Sequence, residues 1–425
     1  MPHQSLEIMA PVGSYEALAA AFQAGADSVY FGVEALNMRS HSSANFTLDD
    51  LAHIASLCHE KGVKCYLTVN TVLYDNDLAL MRRIVDAARQ AGISAIIACD
   101  VAAMEYACSR GVEVHLSTQL NISNVEALKF YARFADVVVL ARELNLQQVA
   151  YIHDEIVRQQ IRGPKGELVR IEMFCHGALC VSISGKCYMS LHEMNASANR
   201  GEWMQICRRA YRVTDIETGS DIEMTVDNQY VLSPKDLKTI HFLNKMIDAG
   251  VEVFKIEGRA RGPEYVFTVA SCYREAVEAY RAGEYSQDEV IVPRIAAWDE
   301  RLARVFNRGF WDGYYLGQRL GEWSHRYGSS ATTRKVKIGR GVNYFSRLQV
   351  AEFQIESYDL RVGDEILVTG PTTGVIEAVV TEIRLDDRCV DVARKGQRVS
   401  IPLKDKIRPS DTLYKIVRAE QGAIG

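Results

Sequence analysis

Short apolar runs alternate with helical patterns from residue 6 to about residue 260. The strand-like runs are Leu6–Met9, Ser28–Phe31, Lys64–Val69, Ala95–Ala98, Glu113–Ser117, Val137–Leu140, Arg170–Phe174 and Val253–Ile256. Between them, stretches such as Tyr15–Ala24 and Asp77–Ala91 place apolar residues three and four apart, the spacing of an amphipathic helix. The phrases Ala24-Gly25-Ala26-Asp27, Glu60-Lys61-Gly62-Val63 and Asp248-Ala249-Gly250-Val251 end a helix on glycine and lead into a buried strand. Eight βα units predict an α/β fold, a parallel (β/α)8 TIM-like barrel over residues 1–292, with a doubly wound open sheet as the alternative. An excursion over 172–232 interrupts the pattern between strands seven and eight. Residues 293–332 read as a helical or irregular connector. From 333 to 425, short alternating runs separated by Gly, Pro and Asp predict a small antiparallel β-barrel.

A parallel barrel concentrates its chemistry at the carboxyl ends of the strands. Polar residues interrupt the apolar pattern at those points: Arg39 after strand two, Asn70 after three, Asp100 after four, Ser117-Thr118-Gln119 after five, Arg142-Glu143 after six, His176 after seven and Glu257-Gly258-Arg259 after eight. Arg39, Arg142, Lys255 and Arg259 could converge and clamp a dicarboxylate, since guanidinium groups bind carboxylates bidentately. Glu143 and Glu257 would position those cations or move protons, and each cation has an ion pair with a neighbouring acid as its structural alternative. Asn70, Ser117 and Gln119 are candidate orienting groups. Tyr30 and His176 are candidate substrate contacts, or else a packed aromatic and a satisfied core histidine.

Composition narrows the classes. The 425 residues are 48% hydrophobic and 24% charged, enough for a sizeable core. A net charge of −5 excludes a wholesale basic coat for nucleic acid. Residues 331–425, however, carry 16 Lys+Arg against 13 Asp+Glu, or +3, leaving −8 for the rest, which makes the C-terminal β-barrel a candidate RNA-binding domain. No apolar run approaches the ~20 residues of a membrane-spanning helix, and no export signal is visible, so no membrane partner and a cytoplasmic location are expected. The ten cysteines are too dispersed for a disulfide scaffold and read as free thiols or ligands.

Three of them share the excursion. Cys180 and Cys187 flank Gly185, and Cys207 follows twenty residues after Cys187. Thiolates on one loop suit a soft metal or an iron–sulfur cluster, with buried structural thiols as the alternative. Arg200, Arg208, Arg209 and Arg212 surround Cys207. They could favour thiolate or hold an RNA backbone, or form a solvated face.

The phrases Glu172-x-Phe174-x-x-Gly177-Ala178-Leu179-Cys180 and Gly185-x-Cys187-x-Met189-Ser190 resemble the full signature of peptidase family U32, the collagenase-like protease family. Ala10-Pro11-Val12-Gly13, Gly25-Ala26-Asp27-Ser28-Val29-Tyr30, Arg142-Glu143-Leu144, Ser233-Pro234-Lys235-Asp236-Leu237 and Lys255-Ile256-Glu257-Gly258-Arg259 extend the resemblance over essentially the whole chain. Within the family the chain is most similar to the branch of tRNA hydroxylation proteins. That branch implies formation of wobble 5-hydroxyuridine, a tRNA partner, prephenate as co-metabolite and a four-iron, four-sulfur cluster. The resemblance carries over Cys180, Cys187 and Cys207 as ligands. Trp203 stands where the branch usually has a further cysteine, which leaves Cys175, a non-cysteine ligand or an open iron site. A homo-oligomer is compatible with this reading. Two other classes stay in view: a U32 peptidase using a Cys180–His176 pair, and a non-catalytic RNA-binding protein whose excursion is stapled by zinc on three cysteines plus His176 or His192.

Overall fold

The computed structural model describes residues 5–33, 35–39, 46–211, 232–318, 321–386 and 388–419. Arg212 falls outside them. Eight parallel strands form the barrel: β1 (Glu7–Pro11), β2 (Ser28–Phe31), β3 (Lys64–Val69), β4 (Ala95–Ala98), β5 (Val114–Leu116), β6 (Val137–Val139), β7 (Arg170–Gly177) and, after a short strand β8 (Asp236–Lys238), β9 (Val251–Ile256). The ring closes because β9 pairs with both β1 and β7. The TIM-like barrel expected from periodicity is therefore the fold, and the strand ends agree to within two residues except at β7, which runs three residues past Phe174.

Two hydrophobic layers hold it. Met9, Tyr30, Tyr66, Ala95, Ile97, Val137 and Val253 fill the interior. The outward-facing strand residues pack under helices such as Tyr15–Gln23, whose first turn Ser14 caps through Ala17 N at 3.2 Å. At the closed end of the barrel, Glu7 is 2% exposed. It accepts from Tyr66 Oη at 2.7 Å and pairs with Lys64 and Arg170 at 3.2 and 3.3 Å. Burial opposes its ionisation, but those two cations prevail and hold its pKa at about 2.

The carboxyl end of β7 departs from regular alternation. Its register against β9 shifts between Phe174 and His176, and a β-bulge of this kind re-aims the following side chains. Strand β8, which periodicity did not reveal, then folds back antiparallel on His176 and Gly177, and β10 (Phe310–Trp311) extends the sheet beside it. The sequence boundary at 292/293 falls inside one helix, Asp288–Arg304, whose buried Ile291, Trp298 and Leu302 keep helical spacing through Pro293.

The C-terminal region is antiparallel, as expected. Its eight-stranded sheet runs in the order 374–379, 365–370, 412–418, 333–345, 350–355, 398–402, 383–385 and 388–390. Residues 374–379 and 383–385 are separate strands, and Val380 N, donating to Asp364 O, prolongs the pairing of the first. The core of this region includes Ile338, Phe353, Ile366 and Leu413. Its other face docks on the barrel: Tyr414 and Ile416 join the barrel core, Gln23 Nε2 donates to Thr373 O at 2.9 Å, and Lys335 pairs with Glu264 at 2.7 Å.

Gly177 tests the bulge. Its φ is +105°, and a Cβ there would lie 2.4 Å from the Glu257 carbonyl oxygen. Gly177→Ala should cost about 2–4 kcal/mol of unfolding free energy, the sum of strain and overpacking. Gly62→Ala, with φ +68° but open space around it, should cost only about 1 kcal/mol. Equal denaturant midpoints for the two variants would contradict this.

Candidate active site at the barrel mouth

The excursion after β7 covers the mouth and is fastened to several strand-end loops. Val72 N donates to Asn199 O at 2.9 Å, and Arg200 pairs with Asp77 at 2.7 Å while lying over the Tyr74 ring. Asn121 Nδ2 donates to Ser184 O at 3.2 Å, and Arg208 donates to Leu179 O at 2.6 Å and Pro234 O at 2.9 Å. Gly185 is required between the two cysteines. Its φ is +79°, and a Cβ there would meet Gln119 Oε1 at 2.3 Å.

Beneath this cover lies a cavity of about 180 Å³. Of the residues singled out from sequence, Tyr30, Arg39, Asn70, Ser117, Gln119, Arg142, Cys180, Cys187, Cys207, Arg208, Lys255, Glu257 and Arg259 line it. Arg261, Arg308, Trp203 and Thr68 line it too. The wall thus carries seven cationic side chains and one carboxylate, Glu257.

Glu257 is the electrostatic centre. Arg39 Nη2 donates to it at 2.6 Å, and Tyr30 Oη donates to it at 3.3 Å and to Ile256 O at 2.8 Å. Burial disfavours its charge, but Arg39, Arg142 and Arg259 outweigh burial and hold its pKa at about 2. It is a carboxylate at neutral pH and an acceptor only. Arg259 is buried, donates to Thr68 Oγ1 at 2.9 Å and Asn37 Oδ1 at 3.3 Å, and is brought down to about 10 by burial. Lys255 donates to the fully buried Glu172 at 2.6 Å, and Glu172 Oε2 has no hydrogen-bond partner among the described residues. Arg142 stacks on Phe174 at 4.0 Å and donates to Ala178 O at 3.3 Å, and its buried Nε has no partner among the described residues. Asn70 donates to Ser117 Oγ at 3.3 Å.

A second cationic group was not legible in the sequence. Arg208, Arg261 and Arg308 surround the buried Asp236, which pairs with Arg308 at 3.4 Å. Burial pushes the Asp236 carboxyl up, and the three guanidinium groups pull it back. Arg308 arrives from the connector and Arg261 from the loop after β9, so only the folded chain joins them.

The three thiols line the same cavity. Burial pushes Cys180 and Cys207 up. Arg142 and Arg208 lower Cys180, Arg208 and Arg308 lower Cys207, and charge on the other thiols raises both. Cys187 Sγ lies 3.5 Å from Ser190 Oγ. As a donor set, three thiols among arginines suit an iron–sulfur cluster in chemistry and charge. Among the described residues, however, no group of three or more Cys, His, Asp or Glu side chains is gathered into a metal-holding arrangement.

The remaining candidates lie elsewhere. Cys175 is fully buried in the core behind β7, on the face opposite Phe174, so it is not placed to serve as fourth ligand. His176, turned out by the bulge, packs against Tyr265, Tyr273 and Phe310, and its Nδ1 lies 3.4 Å from Tyr273 Oη. It is a core histidine, not a partner for Cys180 or a cavity ligand. Glu143 is exposed in a shallow pocket beside Trp311 and Trp323. Arg200 is committed to Asp77, and Arg209 and His192 lie on the outer surface of the excursion. Asp100 caps the helix after β4.

The His176 environment gives a pH signature. Burial, with Lys238 adding to it, lowers its pKa from 6.5 to about 3. Between those values the unfolded chain takes up a proton that the folded chain does not, so stability falls as pH falls. His176→Phe should make the slope of unfolding free energy against pH shallower by up to about 1.4 kcal/mol per pH unit in that window. Identical slopes in denaturant titrations at stepped pH would refute the assignment.

A "Collagenase" of Porphyromonas gingivalis is 67% identical over 98% of this chain and 99% of its own. An "Uncharacterized protease" of Methanocaldococcus jannaschii is 35% identical over 96% of this chain and 98% of its own. The "tRNA hydroxylation protein P1" of Bacillus subtilis is 32% identical over 96% of this chain and 94% of its own. The family model described as Peptidase family U32 matches residues 13–325, the barrel with its excursion and connector, and the chain belongs to that family.

Proposed function

We propose that the protein is an enzyme that hydroxylates uridine in tRNA, forming wobble 5-hydroxyuridine, with a carboxylate co-metabolite such as prephenate and an iron–sulfur cluster on Cys180, Cys187 and Cys207. The observation that carries this reading is that three thiols and seven cationic side chains line a single cavity over a parallel barrel. The B. subtilis relative named for tRNA hydroxylation supports it across nearly the full length.

The protein's own residues divide the work. Arg39 is oriented by Glu257, and Arg259 by Thr68 and Asn37, so both present fixed donors. Arg142, with its unmatched Nε, and Lys255 add positive charge toward a carboxylate of the helper molecule. Tyr30, whose hydroxyl is kept protonated by burial and by Glu257, is a donor and not a base. Ser117, Asn70 and Gln119 offer neutral polar edges suited to a nucleobase. A cluster bound by the three thiols would supply one-electron chemistry, with Trp203 on the cavity wall in place of a fourth thiolate.

Peptidase activity is the second reading, favoured by the 67% identical relative named collagenase. A cysteine peptidase needs a thiol activated by a nearby base. Here burial pushes the Cys180 thiol up, and His176 lies outside the cavity against Tyr273.

The two readings separate in one experiment. The deletion strain is complemented with wild type, Cys180→Ala or Cys187→Ala, and tRNA nucleosides and gelatin cleavage are both measured. Wild type should restore 5-hydroxyuridine, and each variant, while folded, should lose it by at least about 100-fold, the scale seen when a metal site or its supports are removed. Undiminished 5-hydroxyuridine in both variants would refute the cluster's role. Gelatin cleavage by wild type with no change in tRNA would favour the peptidase.

A further inference from the structure

The far side of the C-terminal sheet carries a groove that none of the roles above uses. Its volume is about 620 Å³, and its walls include Arg334, Val336, Tyr358, Lys415, Val417 and Arg418. The register explains the arrangement. Arg334 pairs with Val417 and Val336 with Lys415, so these four side chains share one face. Lys335 and Ile416, the pair between them, point the other way, to Glu264 and the barrel core. The groove therefore lies on the face turned away from the barrel, and Arg418, which shares the Ile416 face as the last residue of its strand, joins the wall only at the groove's end.

Its chemistry is specific. Arg334 and Arg418 make no side-chain hydrogen bond or ion pair among the described residues, whereas Lys415 is held by Asp364 at 2.6 Å. The only acid on the wall, Asp359, is matched by Arg361 at 3.5 Å. Tyr358 is 68% exposed and sits at φ +55°, a left-handed conformation costly for an aromatic residue. A ring so exposed returns little packing energy to offset that cost. Val336, Ile338 and Val417 give the groove an apolar floor.

We propose that this groove binds single-stranded RNA, with Tyr358 stacking on a base while Arg334 and Arg418 hold flanking phosphates. An aromatic platform beside uncommitted cations is the combination that holds single strands without reading their sequence. The placement fits a long substrate. Lys335 meets Glu264 in the first turn of the helix that leaves β9 at the barrel mouth, so the Arg334–Arg418 end lies level with the mouth. This inference deepens the proposed tRNA function and rests on it for the identity of the natural ligand.

The test is fluorescence anisotropy on the full chain with a labelled oligouridine of about 12 nucleotides, within the site sizes of such platforms, and with purified tRNA. Tyr358→Ala should weaken oligouridine binding by about tenfold, and Tyr358→Phe should retain it. Arg334→Ala with Arg418→Ala should weaken binding and make the slope of log affinity against log salt shallower by about 1.4, or about 0.7 per phosphate contact. These positions are exposed, so circular dichroism should match wild type. Unchanged affinity and salt slope in all variants overturns the groove. So does displacement of the oligouridine only by glutamate-rich peptide and not by unlabelled RNA, which would assign the surface to an acidic protein. Failure of the hydroxylase reading is seen separately: oligouridine binding that depends on Tyr358, in a protein that leaves tRNA uridine unmodified, sinks the function and not the groove.

Discussion

The cavity depends on one buried carboxylate. Glu257 sits where β9 ends, and its negative charge lets Arg39, Arg142 and Arg259 approach one another in a site largely shielded from water. Without it, these guanidinium groups would repel across a low-dielectric space. With it, they remain in excess, because one carboxylate cannot neutralise three cations. Asp236 repeats the arrangement for Arg208, Arg261 and Arg308. The barrel therefore holds positive charge that its own acids only partly satisfy, and a cavity of that kind selects anions.

That excess links fold to chemistry. The closed sheet supplies rigid strand ends, and the excursion after β7 is tied across the mouth by Arg200, Asn121 and Arg208. These ties are hydrogen bonds and one ion pair, so polar contacts help to position the described part of the cover. Cys180, Cys187 and Cys207 reach the cavity through this cover, while the cations rise mainly from the barrel. Thiols and arginines thus come from different parts of the chain and meet only at the mouth.

The barrel was legible because each strand is buried on both faces and reads as an apolar run, with glycine closing the preceding helix. Arg142, Glu257 and Arg259 were legible because they follow such runs within three residues, and Arg39 because it is the first cation after Phe31. His176 and Cys175 follow one as well, yet lie outside the site. Cys175 alternates away from Phe174, and a one-residue bulge at the end of β7 turns His176 out, which no local pattern announces. Arg261 and Arg308 were missed for the opposite reason: they lie in loops with no strand pattern, and β8 and β10 bring Asp236 and Arg308 together from 72 residues apart. The unusual backbone at Tyr358 is likewise invisible in composition, since it is a property of one dihedral angle.

The account stands on the cavity's unneutralised positive charge. The most direct measurement is calorimetric titration of the purified protein with prephenate and with its dimethyl ester, at low and high salt. The dicarboxylate should bind at least about tenfold more tightly than the ester, as expected for charge-assisted bonds to guanidinium groups, and Arg142→Gln should remove most of that difference. Equal affinities for the two compounds, insensitive to Arg142→Gln, would contradict it.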